Sequence, residues 1–297
     1  MEMHRLYKRH KMLLSLLSTF GGELGAVEFM KYLLLLNTGR SDAQYSFVPY
    51  RFGAFSYQAY ADKRTLLRKG LLEDSEGWKL TESGKKAVSF FNASAFRDSQ
   101  ALLKKYKGYS SNEVVRETYR IYPFYALNSE IASEVLSQSE LARVEEARPK
   151  QVGAAIFSAG YEGKSLDEYL LTLFRSSVSV LVDVRKNAFS RKYGFSKSTL
   201  SSACAKLGIE YKHVPALGIE SASRRNLDSQ AEYDALFDEY RRTVLELRNA
   251  ELDSLAEMVN NGSRIALICY EANPAQCHRT LVAELLSKLT GIGVQTL

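Results

Sequence analysis

Cysteine is scarce in this sequence, and long apolar runs are absent from it. Three cysteines in 297 residues do not make a disulfide framework, and a chain of this length needs none. No apolar run approaches the roughly 20 residues that cross a bilayer. The basic start MEMHRLYKRHK is not followed by the apolar segment of a secretory signal. We therefore expect a cytoplasmic protein with reduced thiols and no membrane partner.

Charge is the bulk property that bears most directly on function. The chain carries 40 Lys and Arg against 34 Asp and Glu, which gives a net charge of +6 and a pI near 9.0. This balance is compatible with a polyanionic partner but does not require one. Apolar residues at 45% and charged residues at 25% are typical of globular proteins, and the length predicts two domains or one large one.

The first 95 residues predict three helices followed by a small β-wing. Apolar residues recur at helical spacing in HKMLLSLLSTF and AVEFMKYLLLLN, and YQAYADKRTLLRKG predicts a third helix that ends at Gly70. The segment YSFVPYRFGAFS between them is extended or looped. Leu71–Glu73 and Trp78–Leu80 predict a hairpin, and Thr81 is the N-cap of a further helix. This order indicates a mainly α winged-helix domain.

The stretch FVPYRFGAFSYQAYADKRTLLRKGLLE carries a resemblance. It is similar to the F-x-P-Y-x-[FY]-G-x-[FY]-S signature of small bacterial winged-helix proteins that are found beside phage-defence and toxin–antitoxin genes. The resemblance implies a module that binds DNA or a protein partner, and we expect DNA. The candidate DNA contacts are Arg51, Lys63, Arg64, Arg68, Lys69 and Lys79.

Residues 96–150 predict a helical connector and linker, and residues 151–297 change character. Apolar strands at AAIFSAG, VSVLVDV, IEYKHV and SRIALIC alternate with amphipathic helices. Strands that alternate with helices in this way indicate an α/β domain with a parallel sheet. In such a sheet ligands bind beyond the carboxyl ends of the strands. The sequence places polar and charged side chains after each of the four strands, so we expect a polar pocket there.

Three segments of this half carry a second resemblance: SAGYEGKSLDEYLLTL, LVDVRKNAFSRKYGFSKSTLSSACAKLGIEYKHVPALG and LICYEANPAQCHRTLVAELL. Together they resemble the large bacterial family called domain of unknown function 488, over about residues 157–297. The sequence departs from the family pattern at Ile219 and Glu220, where a second glycine commonly follows Leu-Gly. The family has no general assigned activity, so the resemblance implies a site rather than a reaction.

Cys269, Cys277 and His278 raise two chemical possibilities. Zinc prefers Cys and His ligands in closely spaced pairs, and Cys269-x7-Cys277-His278 is not a standard pair spacing. A thiolate nucleophile at Cys277 would benefit from a helix N-terminus and from Arg279. Cys269, however, ends an apolar strand, where a free cysteine is often simply packed. We expect neither a metal nor a cofactor.

Acid–base hydrolysis is the chemistry that the remaining residues favour. Carboxylates can orient a water while arginines hold a phosphate. The candidate catalytic residues are Asp183, Glu271, His278 and Glu162. The candidate substrate- or anion-binding residues are Tyr161, Arg185, Asn187, Arg191, His213 and Arg279. An Asp183–Arg ion-pair network that only ties the loops together is the structural alternative.

We therefore expect a DNA-associated enzyme. It would hydrolyse a base–sugar or phosphate linkage in plain or modified nucleic acid, and the neighbourhood of similar winged helices suggests phage defence. The alternative is a non-enzymatic DNA-binding regulator whose α/β pocket senses a nucleotide-like ligand. A homo-oligomer is compatible with either function.

Overall fold

A computed structural model describes residues 6–150, 153–220 and 229–297. The chain divides into two compact units, Met1–Arg148 and Pro149–Leu297. The finer division of the first unit at residue 95 stays a prediction. Within the described residues, no helix combines the length and the apolar character that crossing a membrane requires.

The first unit consists mainly of short helices. Its helices are α1 (Lys8–Thr19), α2 (Ala26–Asn37), α3 (Tyr57–Arg68), α4 (Glu82–Ser89), α5 (Arg97–Lys105), α6 (Ser111–Ile121), α7 (Ala132–Val135) and α8 (Gln138–Glu146). Several begin at hydroxyl N-caps, as the sequence predicts. Thr81 accepts a hydrogen bond from the backbone of Gly84, and Ser110 and Glu113 form a capping box.

Four short strands accompany these helices: β1 (Glu23–Leu24), β2 (Val48–Tyr50), β3 (Gly53–Phe55) and β4 (Trp78–Lys79). Strands β1 and β4 pair antiparallel, and an isolated bridge joins Leu72 to Leu80. Strands β2 and β3 form a separate hairpin within the segment predicted as extended. This tight turn requires Gly53, whose φ of 87° is readily adopted only by glycine. The core holds the single tryptophan, Trp78, stacked on Phe29.

The second unit is an α/β domain, as predicted. Its strands are β5 (Ala155–Gly160), β6 (Val180–Asp183), β7 (Glu210–His213), β8 (Arg264–Cys269) and β9 (Val294–Thr296). Its helices are α9 (Leu166–Arg175), α10 (Lys197–Ala205), α11 (Gln230–Thr243), α12 (Asn249–Asn260) and α13 (Arg279–Thr290).

The five strands form one sheet in the order β7-β6-β8-β5-β9, and each neighbouring pair is parallel. Strands β5 and β6 are buried along their whole length, which explains their near-continuous apolar sequence. Register brings Gly160 opposite Cys269 and Asp183 opposite Ile268. The carboxyl ends of β5, β6 and β8 therefore lie side by side at one edge.

Candidate functional site

A cleft of 560 Å³ opens at this carboxyl edge. It is lined by Tyr161, Arg185, Lys186, Asn187, Phe189, Ser190, Arg191, Lys192, Ile219, Cys269, Tyr270 and His278. Five of the ten residues predicted for the pocket are among them, namely Tyr161, Arg185, Asn187, Arg191 and His278. The cleft is therefore built by the loops after β5, β6 and β8, as expected for a parallel sheet.

Asp183 holds Arg185 in place at the end of β6. The carboxylate is fully buried and accepts from Arg185 Nε at 2.8 Å, from Arg185 Nη2 at 2.5 Å and from the Tyr211 hydroxyl at 2.5 Å. Burial alone lowers the pKa of Arg185, but the hydrogen bonds to Asp183 outweigh it, and the net pKa lies above its usual range. Both carboxylate oxygens are thus used for positioning. The catalytic role of Asp183 stays a prediction, and Asp183 is not among the residues that line the cleft.

Tyr161 links the loop after β5 to the loop after β6. Its ring stacks on Phe195 at 4.1 Å between centroids. Its hydroxyl accepts from Arg185 Nη1 at 2.9 Å and donates to Ser190 Oγ at 3.4 Å. Its carbonyl accepts from Lys192 Nζ at 2.8 Å. These contacts fix the cationic side of the cleft before any ligand arrives.

A thiol and an imidazole line the cleft at its buried end, and a carboxylate lies beside the thiol. Cys269 Sγ donates to Glu271 Oε2 at 3.1 Å and lies 3.7 Å from His278 Nδ1. Cys277 is close enough that one ligand atom each from Cys269, Cys277 and His278 lies within 4.8 Å of the others. Burial, together with the neighbouring Cys269 and Glu271, raises the pKa of the Cys277 thiol well above its usual value. Such a thiol is a poor nucleophile by itself.

The hydrogen bond of His278 determines which ring nitrogen carries a proton. His278 is 1% exposed, and its Nε2 lies 3.0 Å from the carbonyl oxygen of Val184. A carbonyl oxygen only accepts, so Nε2 must be the protonated nitrogen. In the neutral ring Nδ1 therefore presents its lone pair toward Cys269.

Arg279 and the remaining predicted residues lie around the cleft but do not line it. Arg279 is fully buried, donates from Nε to Ser158 Oγ at 2.9 Å and from Nη1 to the Glu271 carbonyl at 2.6 Å. Glu162 accepts from the backbone of Ala272 at 2.9 Å. His213 Nε2 donates to the Arg185 carbonyl at 2.9 Å. These four contacts shape the loops, and a direct role of the three residues in binding or catalysis stays a prediction.

Sequence reasoning missed the aromatic rim of the cleft. Phe189 is 68% exposed and Tyr270 is 45% exposed, and both line the opening. Lys186 and Lys192 add two cations to Arg185 and Arg191 on the same side. The signal was present in the stretch RKNAFSRKYGF, where cations alternate with aromatics and no carboxylate intervenes.

The predicted DNA contacts of the first unit have different environments. Lys63 is 6% exposed rather than solvent-facing, and its Nζ donates to the carbonyls of Ser75 at 2.9 Å and Gly77 at 2.6 Å. Lys79 lies within 3.5 Å of Glu23 and 3.2 Å of Glu73.

The other predicted contacts lie nearer the surface of this unit. Arg51, Arg64 and Arg68 are exposed, and Lys69 is half-buried. Lys63 Nζ also lies 5.4 Å from the centroid of the Trp78 ring, and its role as a DNA contact stays a prediction.

The fold and the cleft define the second unit as an α/β domain with a polar, largely cationic cleft at the carboxyl edge of a parallel sheet. Residues 165–286 match the family described as "Domain of unknown function DUF488". The C-terminal part of the chain therefore carries a domain of this family, which confirms the resemblance found in the sequence. A comparison with curated proteins finds none that matches the chain.

Proposed function

We propose that the second unit hydrolyses a base–sugar or phosphate linkage in nucleic acid and that the first unit is a winged helix that binds DNA. The observation that carries this proposal is that four cationic side chains, two exposed aromatic rings, the Cys269 thiol and the His278 imidazole line one cleft. A phage-defence setting is the biological context that we propose, by analogy with similar winged-helix modules.

The cationic side favours a phosphate-bearing ligand. Arg185 is held rigidly by Asp183 and Tyr161, while Lys186 and Arg191 are exposed at the opening. Arg185 is already paired with the buried carboxylate of Asp183, whereas the stretch from Lys186 to Phe195 contains no carboxylate. Lys186 does reach Glu220 at 2.9 Å, but that glutamate is itself exposed. Guanidinium groups bind phosphate oxygens in a bidentate manner, so an anionic ligand would complete this side of the cleft.

The aromatic rim favours a ligand with planar rings. Phe189 is 68% exposed, so its ring gains little stabilisation from packing within the protein and is open to stacking by a ligand. Bases stack on such rings with about 1–3 kcal/mol each. A ligand that carries both phosphates and planar bases is a nucleic acid. Sugars and peptides do not combine these two groups.

The first unit supports the DNA-binding half of the proposal by its element order. Helix α1, strand β1 and helices α2 and α3 are followed by the strand β4 that pairs back to β1, with the Leu72–Leu80 bridge beside it. This is the order expected of a winged helix. The proposed DNA contacts are Arg51, Arg64, Arg68 and Lys69, with Lys79 on the wing.

A non-enzymatic regulator is the second candidate. The observation that favours it is that both oxygens of Asp183 are occupied by Arg185 and Tyr211. In this case the cleft would bind a nucleotide-like ligand, and the first unit would recognise an operator.

The test is to incubate the full chain with plain and modified DNA, both single- and double-stranded. Mass spectrometry then detects released bases, nucleotides or strand breaks. We expect product from at least one substrate. The absence of product from every substrate, together with DNA binding that a nucleotide relieves, would instead establish the regulator.

Two variants connect any product to the cleft. Arg191→Ala should weaken the binding of single-stranded DNA. It should also reduce the slope of log affinity against log salt concentration by about 1, which corresponds to the loss of one phosphate contact. Phe189→Ala should weaken it by about 1–3 kcal/mol through lost stacking. The matched controls are Arg242→Ala and Leu247→Ala, which remove an exposed arginine and a 71% exposed apolar side chain elsewhere in the same unit. Equal effects of variants and controls would exclude this cleft as the binding site.

A further inference from the structure

Three metal-ligating side chains converge at the buried end of the cleft although their chain spacing does not suggest it. Cys269 ends β8, whereas Cys277 and His278 immediately precede α13. The turn between them folds back, so one ligand atom from each residue lies within 4.8 Å of the other two. All three side chains are at most 1% exposed. A single ion of ordinary size can therefore contact all three donors after small side-chain adjustments.

The surroundings of His278 are those of a metal ligand. Its Nε2–H donates to the Val184 carbonyl at 3.0 Å, which leaves Nδ1 as the nitrogen on the side of Cys269 Sγ, 3.7 Å away. Histidines that bind metals are almost always oriented by such a hydrogen bond from the other ring nitrogen. Tyr240 packs edge-on against the same ring at 5.6 Å and further restricts its rotation.

We propose that Cys269, Cys277 and His278 bind a zinc ion at the buried end of the cleft. Two thiolates and an imidazole select zinc over magnesium or calcium, which prefer oxygen ligands. The site supplies three protein donors, so a fourth position is open, as in zinc sites that carry out catalysis. Cys269 and His278 both line the cleft, so a zinc ion that they hold would be reached from the cleft.

Glu271 gives this site a proton acceptor. Its Oε2 lies 3.1 Å from Cys269 Sγ, and its backbone carbonyl is held by Arg279. Zinc lowers the pKa of a bound water to about 7, and a neighbouring carboxylate can accept the proton released. A histidine, two cysteines and a glutamate also form the set by which nucleobase deaminases activate a water on zinc, although those enzymes hydrolyse a different bond. The use of the ion for hydrolysis rests on the proposed function, whereas the binding of zinc does not.

The test measures zinc in the full chain and needs no substrate. The protein is expressed with zinc supplied and purified with a reductant, and its metal content is measured by inductively coupled plasma mass spectrometry. We expect about one zinc ion per chain. Replacement of the zinc by cobalt should give the absorption bands of cobalt bound to thiolates in a tetrahedral site. This spectrum tests the ligand type without any variant.

Variants then identify the ligands. Cys269→Ser, Cys277→Ser and His278→Gln should each lose most of the zinc. Cys204→Ser and His213→Gln are the matched controls, because Cys204 is equally buried on α10 and His213 ends the neighbouring strand β7. Both controls should keep the metal. Circular dichroism checks that each variant is folded.

Three results would overturn the proposal. The first is wild-type protein with far less than one zinc ion and no thiolate bands with cobalt. The second is full zinc content in Cys277→Ser or His278→Gln. The third is a Cys269–Cys277 disulfide that, once reduced, still takes up no metal. Zinc without product from DNA would refute the proposed hydrolysis alone. Product from zinc-free protein would refute the use of the ion in hydrolysis, and the metal content and the cobalt spectrum would still decide the zinc site.

Discussion

Lys31 gives the sharpest stability prediction for the first unit. The residue lies on α2, and its ammonium is fully buried against the Phe52 carbonyl and 5.0 Å from the ring of Tyr119. Among the described residues no carboxylate forms an ion pair with it. Burial lowers the pKa of Lys31 from 10.5 to about 7. The folded state therefore favours the neutral amine far more than the unfolded state does.

The direction of the pH effect follows from proton binding. Between pH 7 and 10.5 the unfolded chain holds the proton that the folded chain has released, so the free energy of unfolding rises with pH. Below pH 7 Lys31 is protonated in both the folded and the unfolded state, so the folded state bears the full free-energy cost of burying the charge. A pKa lowered from 10.5 to about 7 corresponds to a cost of at most about 5 kcal/mol. About 3 kcal/mol of it should disappear between about pH 7 and about pH 9.5.

The assay is denaturant unfolding followed by the fluorescence of Trp78, which is the only tryptophan and is stacked on Phe29 in the core of the same unit. This signal reports the first unit even if the second unfolds separately. The variant Lys31→Met should stabilise the unit at pH 7 and lose most of that advantage near about pH 9.5. Lys86→Met, at an exposed position on α4, is the control.

A limit on the pH range comes from the buried tyrosines. Burial raises the pKa of Tyr119 to about 12, so folding resists its ionisation and stability falls again once the unfolded chain ionises above pH 10. The comparison is therefore made below that pH. If Lys31→Met and wild type show parallel pH profiles, the reasoning about Lys31 is refuted.

Two further predictions concern the second unit. Asp183→Asn should destabilise it by about 3–5 kcal/mol, because it leaves the buried guanidinium of Arg185 without its charge partner. Hydrogen exchange of the β6 amides measures this, and unchanged protection would contradict it. Gly160→Ala should cost about 1–3 kcal/mol, because the added Cβ would lie 2.2 Å from the Glu271 carbonyl. Gly293→Ala, with open space around it, should be neutral in thermal unfolding, and equal melting temperatures for the two would argue against the close approach.

Most of the secondary structure of the second unit could be predicted from the sequence, because its signals are local. The apolar runs of β5, β6 and β8 indicate buried strands, and Ser165 and Glu168 form a capping box at the start of α9. The rule for parallel sheets then brought polar residues of three loops to one edge. In the first unit the sequence predicts only an extended segment for the hairpin of β2 and β3, because two three-residue strands carry little periodicity.

The strand order and the buried end of the cleft could not be predicted in the same way. Strand β8 lies between β6 and β5 because of contacts between segments far apart in the chain, which no local pattern records. The grouping of Cys269 with Cys277 and His278 depends on the turn after β8, and spacing along the chain pointed away from a metal. The burial of Lys63 likewise depends on its contacts with the loop at Ser75 and Gly77.

The cations of the cleft and the proposed zinc ligands lie on two different segments of chain, and this division has an evolutionary consequence. The cations and Phe189 come from the loop after β6, whereas the proposed zinc ligands come from the connection between β8 and α13. Substitutions in the first segment can alter what is bound while the second segment stays unchanged. Under the proposed function, a lineage that meets a changing set of targets would diversify the loop after β6 and keep the proposed zinc ligands unchanged.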